Sequence, residues 1–490
     1  MRRMAPIAVA AVGLTMLVTP VAFGQEISDA LRVTRRGLAY NAHALGMGNT
    51  YSTIGYDVTA LFFNPATMAV NKTFSWTVSA NTNAFRTSSD YYDNVTDLKT
   101  SSIACGQLGL TVPFRLDSTR SMVVGLSYAQ SKDFSGGFKS QGVNLGGRFP
   151  SFIQVLADRG DATARALGLS YSLVDGSGNI VGDHSILSDS LYERSYLLGE
   201  GNLAHYALGV ALEPVHNVFF GASATYNTGR YTSDLELYVA DVNDVIPVGV
   251  QTDPNNPATD GFVDASYRAV QGKQYEGWDA RFGVLYKFFD LLGVSASFKM
   301  PAPQKVTEEA FVGGRSEFAG NQSIVVPETY TSSSYKFQAP TEVTVGAMAN
   351  LWLVTGTLEA NYVDYDAITV TSGLGSLPER TAVNKRIKED LMAVINWNAG
   401  AEVRLPLTGL IARAGAVYQP SPYLADPSSR LAHKAVALGA GYNSSDMMQF
   451  DVAYAYGWRG ENKNPQTDDA TTSEQKSGDH TVMFTMRVAF

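Results

Sequence analysis

The last ten residues of the chain alternate between apolar and polar side chains. One face of this segment carries Val482, Phe484, Met486, Val488 and Phe490. The opposite face carries Thr485, Arg487 and Ala489. A period of two is typical of a β-strand, because successive side chains point to opposite faces. The same alternation recurs along nearly the whole chain. It predicts an all-β protein, a transmembrane antiparallel β-barrel whose apolar face meets lipid.

The alternating segments predict about fourteen strands. We place them near 73–84, 104–115, 120–133, 202–213, 217–239, 276–288, 291–304, 334–351, 354–370, 396–406, 410–419, 433–443, 448–458 and 481–490. Tight turns and long stretches rich in Ser, Asp, Asn, Gly and Pro join them alternately. Outer-membrane barrels have short periplasmic turns and long outer loops. With an even number of strands, both termini are expected on the periplasmic side.

The predicted register points apolar side chains outward and charges inward. Outward positions such as Trp76, Leu126 and Tyr454 are uncharged, as expected where a charge costs ~2–4 kcal/mol at mid-membrane. The inward positions carry titratable residues of both signs: Arg115, His205, Glu213, Asp279, Arg281, Lys287, Lys299, Glu342, Glu359, Glu402, Arg404, Arg413, Asp451 and Arg487. A dry core does not hold so many charges without pairing. They suit a polar lumen that is filled by a plug or a ligand.

Glycines also recur at the predicted inward positions. They are Gly109, Gly125, Gly209, Gly221, Gly283, Gly293, Gly346, Gly400, Gly415, Gly439, Gly441 and Gly457, with Gly356 as the exception. Glycine weakens a strand unless another backbone must approach closely. A glycine-lined wall therefore makes room for a plug or a ligand. The alternative is that barrels simply tolerate small residues facing inward.

The chain begins with the features of a secretory leader. Arg2 and Arg3 precede an apolar stretch at 5–18, and Ala22-Phe23-Gly24 fits a cleavage site, so we predict a signal peptide over 1–24. Beyond it, no apolar run approaches the ~20 residues of a membrane helix. Without Arg2 and Arg3, 35 Lys and Arg face 46 Asp and Glu, a net charge of -11, which argues against a nucleic-acid partner. The single Cys105 excludes an intrachain disulfide framework.

Residues 25–72 do not alternate. They contain Gly46-Met-Gly-Asn-Thr-Tyr51 and Ala60-Leu-Phe-Phe-Asn-Pro-Ala66, and they are too apolar for a disordered tail. We predict that this segment lies in the lumen and that the barrel follows over 73–490, with long extracellular loops. Pro65 fixes φ and Asn64 can bond its own backbone, so the pair predicts a stiff corner. The alternative is an ordinary surface turn.

The same segment resembles the N-terminal hatch of the FadL/TodX family of outer-membrane transporters. The resemblance rests on Gly46, Gly48, Asn64, Pro65 and Ala66, and the predicted strand number extends it over the whole mature chain. It implies a hatch plugging a barrel of about fourteen strands in the bacterial outer membrane. It also implies passive uptake of hydrophobic compounds such as long-chain fatty acids. The long stretch 134–201 departs from the family, so loop-by-loop ligand contacts do not transfer.

The resemblance further implies a lateral exit through the third strand and a cation for a carboxylate ligand. The exit candidates are Gly125, Ser131, Gly136 and Gly137. The cation candidates are Arg281, Lys287, Lys299, Arg404 and Arg413. Pairing with Glu342, Glu359 and Glu402 is the alternative role of these cations.

Two outer segments, 150–156 and 377–395, have helical patterns and form a possible first capture site. Val383, Ile387, Leu391, Val394 and Ile395 make an apolar stripe on the second. The alternative is that this stripe packs against neighbouring loops.

The terminal Phe490 resembles the signal that outer-membrane assembly machinery recognises, and outer-membrane lipid is the expected surrounding. Three other functions stay open. A general porin needs an open lumen, a secretion or assembly partner binds protein, and a lipase needs a Ser–His pair in a nucleophile motif. No such motif, and no nucleotide, metal or haem motif, is present in the sequence. We therefore expect a transporter without a cofactor rather than an enzyme.

Overall fold

A computed structural model describes residues 25–115, 121–146, 151–188, 190–289, 291–373, 376–445, 447–462 and 473–490. The predicted signal peptide over 1–24 lies outside these residues, as does the tight turn between the predicted strands 104–115 and 120–133. None of the helices in this part of the chain combines the length and the apolar character that a membrane-spanning helix needs.

Twenty β-strands occur in the described residues. In chain order they are β1 (Ser75–Tyr91), β2 (Asn94–Arg115), β3 (Ser121–Asp133), β4 (Gly136–Val143), β5 (Tyr171–Val174), β6 (Ile180–His184), β7 (Tyr192–Val215), β8 (Val218–Ala240), β9 (Phe262–Phe288), β10 (Leu292–Lys299), β11 (Pro303–Phe318), β12 (Gln322–Gln338), β13 (Glu342–Leu351), β14 (Val354–Val363), β15 (Thr369–Ser372), β16 (Val394–Arg404), β17 (Leu410–Gln419), β18 (His433–Ser445), β19 (Met448–Asn462) and β20 (Glu474–Ala489). Eighteen form one sheet, and β5 and β6 form a separate hairpin.

The large sheet is a closed antiparallel barrel. The last strand, β20, pairs with β1 from Ser75↔Ala489 to Asp90↔Glu474. Four positions in the wall hold two consecutive strands: β3 and β4 share β7, and β10 and β11 share β9. The pairs β12 with β13 and β14 with β15 continue this arrangement. The eighteen strands therefore occupy fourteen positions, which confirms the predicted fold.

Several strands are longer than the sequence pattern predicted. Strands β7, β8 and β9 contain 24, 23 and 27 residues. Strands β1 and β2 meet at a tight turn formed by Tyr92 and Asp93. The prediction that 85–103 and 262–275 are loops is therefore wrong. These parts stand above the lipid band, where the outer face meets water and carries polar residues, so the alternation that marks a lipid-facing strand is lost.

The register agrees with the predicted one. Trp76, Leu126 and Tyr454 are exposed on the outside, whereas Glu402 and Asp451 are buried on the inside. Lipid meets the first set and the contents of the lumen meet the second.

Aromatic rings mark the two edges of the outward apolar band. Tyr128, Tyr206, Tyr226 and Trp278 form a continuous row across β3, β7, β8 and β9, with ring centroids 5.3, 6.5 and 4.9 Å apart. We call this row the outer belt. Phe288 lies at the opposite end of β9. For a strand tilted by about 40°, these ten residues of β9 span roughly 25 Å of height, the thickness of the apolar band of such barrels. The chain is thus a multi-pass barrel of the bacterial outer membrane.

Helices occur inside the barrel and in the outer segments. They are α1 (Gln25–Thr34), α2 (Ala42–Gly46), α3 (Ala60–Phe63), a 3-10 helix (Pro65–Val70), α4 (Phe152–Asp158), α5 (Ala162–Ala166) and α6 (Leu377–Asp390), with short 3-10 turns at Pro257–Thr259, Ala319–Asn321 and Tyr365–Ala367. The first four belong to residues 25–72, which we call the hatch segment. Within it, α2 contacts β17 to β20, and the 3-10 helix contacts β3, β7, β8 and β9. The segment therefore touches inner faces on both sides of the barrel.

The two outer segments predicted to be helical do contain helices, α4 and α6. On α6 the apolar stripe is shorter than predicted. Val383, Ile387 and Leu391 are buried in one apolar cluster with residues of β12 and β15, and α6 contacts β15, so packing is the role the structure shows for them. Val394 and Ile395 belong to β16 instead, where they alternate between a buried and an exposed position.

Deleting Phe490 should impair assembly more than a single substitution within a strand, such as Leu126→Ala. The Phe490 backbone N–H donates to the Phe74 carbonyl at 2.8 Å, and its ring is 5.9 Å from that of Phe74. Deletion removes this closing contact and the terminal aromatic residue together. Heat-modifiability of outer-membrane fractions on gels measures the outcome. Normal levels of folded, truncated protein would contradict the prediction.

Candidate functional site: the hatch seat and the interrupted wall

The Asn64-Pro65-Ala66 motif forms a buried corner at the start of the 3-10 helix. The Asn64 Oδ1 atom accepts the Ala66 N–H at 3.1 Å, so the side chain caps the turn. Its Nδ2 group donates to the Ser52 carbonyl at 2.9 Å and to the Val284 carbonyl of β9 at 3.1 Å. The corner is therefore fixed to the barrel wall, unlike an ordinary surface turn.

Two glycines of the wall make room for this corner. A Cβ atom at Gly221 would overlap the backbone of Pro65 and Ala66, and one at Gly283 would overlap the Asn64 side chain. Both positions lie on adjacent strands and pair directly, Gly221 with Gly283. The motif can approach β8 and β9 this closely only because neither residue has a side chain.

The other glycine pair of the hatch segment meets a second glycine patch. Gly46 lies against Gly439, where a Cβ atom would be 3.2 Å from the opposing Cα. Gly48 has a φ of 62°, and its backbone fills the space where a Cβ atom of Gly415 would lie. Gly400, which pairs with Gly415, leaves space for the preceding carbonyl of the hatch segment. Backbone packs against backbone here, and any side chain would separate the two surfaces.

Gly125 faces the lumen as predicted, but it lies under the hatch segment. A Cβ atom at Gly125 would be 2.5 Å from the Met68 Sδ atom, and one at Gly209 would be 2.5 Å from a Leu61 methyl group. Gly125 therefore helps to seat the hatch segment. It is not among the residues that surround the interruption of strand three described below.

A buried ionic network anchors α2 to the wall. The Glu402 carboxylate is 3.2 Å from His43 Nε2, 2.8 Å from Arg413 Nε and 2.9 Å from Arg404 Nε. Arg413 also reaches Asp451, with Nη1 at 2.6 Å from Oδ1. Arg404 and Arg413, predicted as ligand cations, are thus paired with carboxylates.

The remaining predicted cations have similar surroundings. Glu342 accepts from Lys299 Nζ at 2.9 Å and from Arg281 Nη2 at 3.3 Å. Lys287 lies half-buried at the end of β9, and its backbone N–H donates to the carbonyl of Asn217 in the turn between β7 and β8. Arg281 and Lys299 therefore take the alternative role of ion pairing.

A further contact joins the hatch segment to β14. Arg36 Nη1 lies 3.0 Å from Glu359 Oε1, and the Ser52 N–H donates to Glu359 Oε2 at 3.1 Å. Thr50 and Thr357 share a hydroxyl hydrogen bond of 2.5 Å. One buried carboxylate thus binds two distant parts of the segment.

Helix α1 is held in place by the contacts of one buried carboxylate, Asp29, which the sequence did not predict. The buried Asp29 carboxylate contacts Arg32 at 2.6 Å and Lys273 at 2.7 Å, and it accepts from the hydroxyls of Tyr275 and Tyr335 at 2.8 and 3.0 Å. Burial raises the pKa of Asp29, but the two cations outweigh that effect and hold the pKa below its ordinary value. Only the Asp29–Arg32 spacing was visible in the sequence, because the other partners are more than 240 residues away.

The third wall position is interrupted. Strand β3 pairs with β2 only as far as Ala129, and a register shift against β7 leaves Ser131 without a partner residue. The strand ends at Asp133 and resumes as β4 at Gly136. The Asp133 side chain accepts the Ser135 N–H at 2.8 Å and so turns the chain locally.

The predicted exit glycines differ in their surroundings. A Cβ atom at Gly136 would meet nothing within 4 Å, whereas one at Gly137 would overlap the Leu197 carbonyl. Gly136 thus borders open space beside the interruption, and Gly137 packs against β7.

A cavity of about 540 Å³ lies between the interruption and the hatch segment. Its apolar lining includes Leu31, Phe85, Phe134, Phe138, Leu197 and Tyr231. Its charged and polar lining includes Arg35, Lys132, His433, Arg459 and Asp479. Within the described ranges, neither Arg35 nor Arg459 has a carboxylate within 4.0 Å of its guanidinium. The cavity therefore combines aromatic walls with two arginines that have no ion-pair partner among the residues that the structure describes.

Strand three and α1 touch at this cavity. Lys132 Nζ donates to the carbonyls of Arg32 at 2.6 Å and Val33 at 3.1 Å, the last turn of α1. Just beyond, Gly37 packs so closely that a Cβ atom would overlap the Ser131 carbonyl. A shift of either element must move or break these contacts.

No protein-family model and no curated protein matches the sequence. Solved structures do match the fold. The Pseudomonas putida toluene transporter TodX is 14% identical, with 93% of this chain and 99% of that chain covered at a TM-score of 0.53. A Pseudomonas aeruginosa FadL homologue is 12% identical, with 92% and 98% covered at a TM-score of 0.52. The chain has the FadL/TodX fold. The TodX structures with this fold are described as a transporter or a channel, in keeping with the expectation of a non-enzyme.

Filling the space that the wall glycines of this FadL-type barrel leave for Asn64-Pro65-Ala66 should release the hatch segment. We expect Gly283→Val to raise ion conductance in planar bilayers, because the new side chain overlaps Asn64 and overpacking costs ~1–3 kcal/mol. The matched control is Gly356→Val, a strand position where a Cβ atom meets nothing within 4 Å. Both variants should remain heat-modifiable. Equal conductance of the two folded variants would show that the contact does not close the lumen.

Proposed function

We propose that the chain is an outer-membrane channel for passive uptake of hydrophobic compounds, including long-chain fatty acids. The observation that carries the proposal is the cavity bounded by the hatch segment on one side and the interrupted strand three on the other. Its volume of about 540 Å³ falls within the ~300–1,000 Å³ of small-molecule sites. Its aromatic lining suits an apolar ligand rather than a hydrated ion or a folded protein.

The hatch segment is the proposed plug. Its lower part rests on two glycine patches and on the network around Glu402, so a water-filled path through it would have to break buried contacts. A general porin would gain nothing from these contacts. We therefore favour regulated passage over permanent opening, with the hatch segment shifting when ligand binds.

The proposed exit is lateral. Strand β2 leaves β3 after Ala129, and the cavity borders the wall at Phe134, Ser135 and Gly136. The interruption begins just beyond Tyr128 of the outer belt, so a ligand that leaves here would emerge beside the head groups of the outer leaflet and would avoid the hatch segment below. Lys132 joins this wall region to α1 and is the proposed link between ligand binding and movement of the hatch segment.

The proposed ligands include amphiphiles with an anionic head group. Arg35 and Arg459 face the cavity without a carboxylate partner among the described residues, and a bound carboxylate would supply one. Charge-assisted hydrogen bonds of this kind are stronger than neutral ones. The predicted cations Arg281, Lys299, Arg404 and Arg413 are poorer candidates, because their partners are protein carboxylates.

Filling the open space beside Gly136 should block the exit without unfolding the barrel. We expect Gly136→Trp to lower uptake of a fluorescent long-chain fatty acid roughly tenfold, because a ligand path cannot share the space occupied by an indole ring. Gly356→Trp is the control, since a Cβ atom there also meets nothing within 4 Å. Uptake at the control rate by a folded Gly136→Trp barrel would exclude this route.

Removing the charge of a cavity cation should weaken binding of a ligand with an anionic head group more than binding of a neutral one. Arg459→Gln should weaken binding of a fatty acid about tenfold, in line with ~1.5–3 kcal/mol for a hydrogen bond to a charged group. Binding of the methyl ester should hardly change. Tryptophan-fluorescence or calorimetric titration of the purified barrel gives both values. A parallel loss for acid and ester would refute the anionic head-group site.

A further inference from the structure

Directly above the outer belt, a row of outward residues crosses five neighbouring strands. The register pairs Thr228 of β8 with Glu276 of β9, Glu276 with Lys305 of β11, Lys305 with Lys336 of β12, and Lys336 with Ser372 of β15. Their inward neighbours on β12, Tyr335 and Phe337, are buried, so this row faces outward.

The centre of the row is a pair of lysines on adjacent strands. Directly opposed residues have Cβ atoms about 4.5–5.5 Å apart, and like charges at that position are destabilising. Lys305 has one carboxylate, Glu276, at 3.8 Å, and both side chains are about half exposed. Lys336 has no carboxylate within 4.0 Å in the described part of the chain. An exposed ion pair of that length contributes little, so the pair leaves an uncompensated positive charge.

The next row lies two residues farther from the membrane along each strand, and it adds hydrogen-bond donors and another cation. Arg230 pairs with Gln274, Gln274 with Thr307, and Thr307 with Ser334. This row places a guanidinium, an amide and two hydroxyls on the extracellular side of the lysine row, all able to donate to an oxyanion. Glu276 is the one carboxylate in these two rows.

The height of the row above the outer belt indicates which kind of anion it can reach. Trp278 of the outer belt is 61% exposed and lies two residues below Glu276 on β9. Two residues of a tilted strand rise about 5 Å, which places the lysines at the head-group layer just above the acyl chains. Aromatic side chains mark this interface and lysines attract anionic head groups there.

We propose that Lys305 and Lys336 bind a phosphate group of an outer-leaflet glycolipid whose acyl chains lie along the outer belt. The phosphate lies between the two ammonium groups and relieves their repulsion. Trp278 and Tyr226 cover the first part of an acyl chain below it. The proposal rests on the outer-membrane location of the barrel and is independent of the uptake function.

The test uses the full-length barrel in detergent and bisphosphorylated lipid A as the probe. Native mass spectrometry measures lipid retained by the wild type, by the double variant Lys305→Gln/Lys336→Gln, and by Lys99→Gln as control. Lys99 is an outward lysine of the β1–β2 hairpin, nine residues above Leu108, which pairs with Tyr128 of the outer belt. We expect roughly tenfold weaker binding or more for the double variant, since each 1.4 kcal/mol is tenfold. The control should match the wild type.

Dephosphorylated lipid A separates phosphate binding from acyl-chain binding. Its retention should be weak and equal in all three proteins. Lys305→Arg/Lys336→Arg should retain the phosphorylated probe, and Glu276→Gln should retain more of it than the wild type. Heat-modifiability confirms folding of each variant.

Two outcomes would overturn the proposal: unchanged retention of the phosphorylated probe by the double glutamine variant, or equal retention of the two probes by the wild type. Fatty-acid uptake should be unaffected in the double variant. Failure of the uptake proposal would therefore leave this result unchanged.

Discussion

Backbone-to-backbone contact between the hatch segment and the barrel wall is the constraint on which the lumen depends. Asn64-Pro65-Ala66 rests on Gly221 and Gly283, and Gly46 and Gly48 rest on a second set of wall glycines. Side chains would hold the two surfaces apart and leave a water-filled gap. Glycine costs strand stability, and here the close packing of a buried, capped corner offsets that cost.

Buried ion pairs and hydrogen bonds hold the hatch segment to the wall in addition to the close packing. The wall carboxylates of Glu402 and Glu359 contact His43 and Arg36 of the hatch segment, and Asp29 of the hatch segment contacts Lys273 of the wall. Such groups are expensive to bury and stable only when every partner is in place. A displacement of the hatch segment would therefore break several of these contacts together. Lys132 extends this coupling to the interrupted wall.

The tall barrel wall meets several environments, and each selects different residues. Lipid selects the apolar outward band between the aromatic rings, and the lumen selects glycines and paired charges. Above the outer belt the outer face meets water, whereas the inner face of β8 and β9 packs into an apolar cluster with α4 and α5. These strands continue there as an extracellular sheet. The lysine row lies at the boundary between the lipid-facing band and this sheet. The height of these residues decides which part of a lipid they can contact, and that height is set by the register of the whole wall.

The sequence by itself determined the barrel, its strand number, its register and the lumenal position of Gly125, because alternation is local and lipid enforces it on every spanning strand. It also marked the hatch motif. Only the tertiary structure decided the strand ends above the membrane, where that pressure is absent. It likewise decided which cations are paired, since Asp29 meets Lys273 and Arg36 meets Glu359 across hundreds of residues. The cavity beside Ser131 and Gly136, lined by Arg35 and Arg459, depends on three-dimensional closure of the barrel, which brings together residues that no sequence period relates.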